Sequence, residues 1–167
     1  MQFNPEYNYG DSDLTIKENV LCWKFGELIK TLVTLSSEAK EQIEIIGMGV
    51  VSEEMAEDFD TYFTFMFNEY VDGKLLTLDE VGQLKELATF FNEQDYNKSP
   101  DFWDDSLLST NTDWEIVRQK SSNILRLLGM EDLEMKFERR QINQTADNGE
   151  KILVQQTKIF LVRKQYK

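Results

Sequence analysis

The sequence predicts an α+β fold: a mainly helical body of about five to six helices followed by a C-terminal antiparallel β-hairpin. Three observations carry this reading. Apolar residues recur at helical spacing through most of residues 13–129, the period switches to two just beyond Gly129, and Asp147-Asn148-Gly149 splits the alternating stretch into two runs. The 167 residues are 41% hydrophobic and include eleven Phe, six Tyr and three Trp, ample for one core without crosslinks. No repeat, low-complexity stretch or linker divides the chain, so residues 1–167 are read as one domain. Within it, residues 1–12 form an arm pinned by aromatics, 13–129 the helical body and 131–164 the hairpin.

The first helix follows from Leu14, Leu21, Phe25, Leu28, Leu32 and Leu35, which share one helical face. Ser36 and Ser37 offer a cap or a break, and Ala39, Ile43 and Ile46 continue a stripe that ends at Gly47 and Gly49. Ser52 is expected to cap the next segment. There Met55, Phe59, Tyr62, Phe63, Met66, Phe67 and Tyr70 make a broad aromatic face, stopped by Asp72-Gly73. Thr77 and Glu80 have capping-box spacing, with Leu76 at the staple position and Val81, Leu84, Leu87, Ala88 and Phe91 following. Ser99-Pro100 reads as the start of a short helix, and Thr112 with Glu115 as a second capping box ahead of Trp114, Val117, Ile124, Leu127 and Leu128. In the hairpin, Leu133, Met135 and Phe137 alternate with Glu134, Lys136 and Glu138, and a second run extends from Ile152 to Val162.

Charge is the strongest functional signal. Residues 1–130 hold 25 acidic and 10 basic side chains, a net −15, whereas residues 131–167 carry +2, and the chain contains no histidine. Histidine-dependent nucleophilic triads are therefore excluded, and no glycine-rich phosphate loop is present. A carboxylate-based enzyme remains formally open, because 31 acids always supply candidate pairs. Direct nucleic-acid binding lacks a basic stripe, since Arg139, Arg140, Lys151, Lys158, Arg163 and Lys164 form only a local excess that also solubilises strand edges. One cysteine, Cys22, precludes an internal disulfide, and no 18-residue apolar run or leader-like N-terminus occurs. The expectation is a cytoplasmic protein without cofactor, catalytic residues or membrane association.

Two acidic clusters are the candidate binding residues. Glu53, Glu54, Glu57, Asp58 and Asp60 crowd one helix start, where they complement the helix dipole or present carboxylates to lysines and arginines of a partner. They diverge around the helix, which argues against metal. Asp101, Asp104 and Asp105 stand at i, i+3 and i+4 beside Trp103, so a helix there puts them on one face. That face reads as plain surface, as partner contact, or as a weak cation site lacking the calcium-loop pattern. Acids beside aromatic anchors suit a cationic groove, although Tyr96, Trp103 and Trp114 also read as core.

In size, charge and the acidic, aromatic-containing stretches 53–70 and 95–114, the chain resembles the bacterial immunity proteins that neutralise polymorphic or contact-dependent toxins. The resemblance implies an acidic inhibitor that occludes the active site or an exosite of a basic toxin. It assigns no residue by position. The same physics also fits a phage or mobile-element DNA mimic that inhibits a DNA-binding protein, and the hairpin edge fits a cytosolic scaffold or assembly subunit.

Overall fold

The computed structural model describes residues 2–166, which form six α-helices and a two-stranded antiparallel sheet in the α+β arrangement. Helix α1 (Lys17–Ser36) is the spine, packing along α6 (Thr112–Leu127), α3 (Val51–Phe59), α4 (Phe67–Asp72) and the base of strand β1 (Leu133–Thr145). Its buried stripe includes Phe25, Leu28, Ile29, Leu32 and Leu35, as the helical spacing requires. Leu14 drops out of that stripe. The Asp13 carboxylate accepts from the Thr15 N–H and hydroxyl at 3.0 and 2.6 Å, holding a turn that delays the helix to Lys17 and leaves Leu14 exposed.

The serine pair acts as a break, since Ser37 is extended and α2 (Ala39–Ile46) starts afresh. The buried face of α2 is Ala39, Gln42 and Ile45, while Ile43 is exposed, a correction to the expected stripe. A polar network decides it. Buried Arg118 on α6 donates to Ser37 O, Gln42 Oε1 and Leu108 O, and the Gln42 amide donates to Thr34 O and Leu35 O. Seating Gln42 against these carbonyls turns Ile43 outward, because unpaired buried polar groups cost more than one exposed isoleucine gains.

The aromatic run does not form one helix. A π-helical turn at Asp60–Thr64 follows α3, and the chain kinks at Phe65 and Met66 before α4. The wider turn shifts the phase of the face, so Phe63 and Tyr70 are buried but Phe65 is 71% exposed. Helix α5 (Leu78–Asn92) begins with the expected capping box, Thr77 Oγ1 accepting from Glu80 N at 3.2 Å and Glu80 returning the bond to Thr77 N at 2.7 Å. For α6 the cap is Asn111, whose side chain accepts from Asp113 N and Trp114 N, so Thr112 lies inside the helix, Trp114 stands where a box would need Glu, and the expected second box does not form; Leu127, expected on the apolar face, is exposed. Trp114 is fully buried, stacked on Phe102 and donating to its carbonyl.

The period change after Gly129 marks a real boundary. Strands β1 and β2 (Lys151–Arg163) pair along 13 positions, with Leu133 and Leu161 buried against the body. Arg139 sets the ribbon's angle by donating to Glu44 O and Ile45 O at the C-terminal end of α2. Gly47 is required there, because its φ is +76° and an added Cβ would lie 2.5 Å from the Arg139 guanidinium. Along the arm, Phe3 stacks on Tyr9 and meets Phe25 edge-on, and Glu6 accepts from Arg163 N, which ties the N-terminus to β2.

Candidate protein-binding groove

The site starts with an unusual helix cap. Helix α3 follows Gly47-Met48-Gly49 and Val50 caps it without a side-chain bond, so its first N–H groups need an acceptor from elsewhere. Asp105 supplies one. Its carboxylate accepts from Val51 N at 2.7 Å and Ser52 N at 3.0 Å, while the buried Ser52 hydroxyl donates to Trp103 O. Ser52 therefore joins the helix instead of capping it, and the segment carrying Trp103 is fastened to the start of α3.

That segment is two short 3-10 turns, Pro100–Trp103 and Asp105–Leu107, instead of one α-helix. Asp101, Asp104 and Asp105 consequently do not share a face, which corrects the expected triad. Asp105 is engaged within the fold. Asp104 caps the second turn through Ser106, whose hydroxyl and N–H hold its carboxyl below the usual range, and Asp101 is exposed. The short polar side chains win the local backbone N–H groups before an α-helix can propagate.

Pinning Trp103 brings α3, α5 and the loop that follows α5 around a groove of about 370 Å³. Glu53, Glu57 and Asp60 form its acidic side, Ala88 and Phe91 its α5 side, and Tyr96 with Trp103 an aromatic wall. Tyr96 is 54% exposed and stacks on Trp103 with ring centroids 4.9 Å apart and planes 18° apart. The Tyr96 hydroxyl donates to Glu53 Oε1, and Trp103 Nε1 donates to Gln94 O at 3.0 Å. The bond to Glu53, with desolvation and the Glu53 and Glu57 charges, pushes the Tyr96 phenol up to about 12, so it stays a neutral donor. Among the described residues lining this groove, none is basic.

Of the nine sequence candidates, Glu53, Glu57, Asp60 and Trp103 meet here. Glu54 turns toward Gly49, where an added Cβ would lie 3.1 Å from its Oε1. Asp58 lies on the α1 side of α3, its carboxyl pushed up to about 6 by burial first and then by the Glu54, Glu27 and Glu57 charges. The α5 residues of the groove were not legible in the sequence, because nothing local signals that Ala88 and Phe91 lie across from Glu57.

Chemically, the groove can surround an ammonium or guanidinium group with carboxylates while its alkyl stem lies on the Tyr96 and Trp103 rings. No three metal-ligating side chains converge among the described residues, and no described helix is long and apolar enough to cross a membrane. Comparison with known proteins finds no family model, no curated protein and no solved structure that matches this chain.

Proposed function

We propose that this protein is a cytoplasmic, stoichiometric inhibitor that acts by binding and not by catalysis, an immunity protein that neutralises a basic toxin. The observation that carries the reading is the groove, where three carboxylates line a wall of exposed Tyr96 stacked on half-buried Trp103, without a basic side chain among them. A partner's lysine or arginine enters the groove, and the strongly negative body around it steers the encounter. Occupying cations that otherwise hold nucleic-acid phosphates blocks the toxin at its active site or an adjacent exosite.

The test is capture from native lysate, identification of the bound protein, and co-expression of that protein in cells. The expected partner is basic and toxic alone, and the parent chain protects the cells. The combined change Glu53→Lys, Glu57→Lys and Asp60→Lys abolishes capture and protection while the melting temperature stays near that of the parent. A folded triple variant that still captures and protects removes the groove from the account.

A further inference from the structure

We infer that the distal half of the β-ribbon is a docking arm for a second copy of this chain, seating in the groove between α2 and the base of β1. The arm has little reason to extend so far otherwise. Among the described residues the outermost side-chain hydrogen bonds from the ribbon to the body are those of Arg139, with Gln155 also beside Gly47, yet pairing continues through four more positions to Thr145 opposite Lys151. At ~3.3 Å per residue these positions and the turn project on the order of 15 Å into solvent. A two-stranded ribbon of this kind is marginal alone.

The composition of the arm points to its occupant. Ile142 and Val154 are cross-strand partners and Ile152 is the next residue on the same face, which also carries Arg140 and Lys158. Ile152 is 46% exposed and Ile142 and Val154 are half-buried, so the apolar strip is only partly covered within one chain. Residues 139–158 contain four cations against two acids, Asp147 and Glu150, both confined to the turn, so the arm is net positive in a protein whose remaining body is strongly anionic. An anionic surface with an apolar floor complements that strip, and the chain carries one. Between α2 and β1 lies a groove of about 430 Å³, where Glu38, Glu41 and Glu44 rise over Ile45, Met135 and Phe137. Four glutamates stand there against a single lysine.

A chain's own arm points away from its own groove, because β1 leads outward from Met135 and Phe137 to Thr145. Two copies with arms laid antiparallel bring each tip toward the other's base, so both contacts form at once and the pair closes with two-fold symmetry. The opposite net charges of arm and groove favour this orientation over arm against arm, which sets cation against cation. The inference is independent of the partner taken by the α3 to α5 groove, which the arm does not occupy.

Sedimentation velocity on the full chain across a concentration series tests it. The parent is expected to form dimers, with association weakened about tenfold or more at high salt as exposed charges are screened. Arg140→Glu with Lys158→Glu makes the chain monomeric, and so does Glu38→Lys with Glu41→Lys and Glu44→Lys. Mixing the two reversed proteins restores a dimer containing one of each. Ile152→Asp, outside the core, gives a folded monomer even where the groove variant is unstable. A parent that stays monomeric throughout the series overturns the proposal, as does a dimer that survives the arm reversal or Ile152→Asp. Arm-dependent binding of a labelled nucleic-acid duplex by a monomeric parent assigns the arm to a different ligand and overturns it too.

Discussion

Replacing Asp58 by Asn is predicted to stabilise the protein at neutral pH. Asp58 is held between α3 and α1, where burial and the charges of Glu54, Glu27 and Glu57 push its carboxyl up from 3.8 to about 6. The folded state therefore holds the proton more tightly than the unfolded chain does. Between the unfolded and folded values stability rises as pH falls, so the charged group costs stability above pH 6 and the cost vanishes below about pH 4. At ~1.4 kcal/mol per tenfold change in proton affinity, the full cost at pH 7 is ~3 kcal/mol. Solvent reaches part of this carboxylate, and screening reduces the figure to about 1–2 kcal/mol. Asn keeps the shape and removes the charge. Urea unfolding of parent and Asp58→Asn at a series of pH values is the assay, with a gain of about 1–2 kcal/mol expected at pH 7, or ~2–4 °C in Tm per kcal/mol for a chain of this size. The gap should close as pH falls toward 4. A variant no more stable than the parent at pH 7, or one whose advantage is the same at pH 4, refutes the assignment of this cost to a charged Asp58.

Asp105→Ala leaves the α3 N-terminus without its long-range cap and should cost about 1–2 kcal/mol in urea unfolding, with faster hydrogen exchange at Val51 and Ser52. Unchanged exchange there would mean that another group takes over the cap. Arg118→Met strands the Gln42 amide oxygen and the Ser37 and Leu108 carbonyls, and a loss of about 3 kcal/mol or more is expected by the same assay. Gly47→Ala forces a left-handed alanine against the Arg139 guanidinium, so a loss of about 1–2 kcal/mol should accompany faster exchange in the ribbon. Association with a basic partner, followed by stopped-flow fluorescence of Trp103, should slow steeply between low and high salt, whereas a salt-independent rate removes electrostatic steering.

What the sequence determined alone is what depends on neighbours in the chain. The α1 stripe from Phe25 to Leu35, the Thr77 and Glu80 box, the period change after Gly129 and the Asp147-Asn148-Gly149 turn are local patterns, and the structure follows each. The anionic surface with its +2 hairpin is likewise composition, independent of fold. Tertiary structure decided wherever a local preference met a distant partner. Ser52 lost the α3 cap to Asp105, 53 residues away, and Ile43 lost its buried place to Gln42, which Arg118 holds from α6. The aspartates near Trp103 were split because each short side chain found a different N–H to bond. The groove itself belongs to this second class. Acidic spacing placed Glu53 and Glu57 on α3, but only the docking of Trp103 through Asp105 and Ser52 set an aromatic wall opposite them. Buried hydrogen-bonding groups must be satisfied wherever a partner lies, and chain separation does not limit that choice.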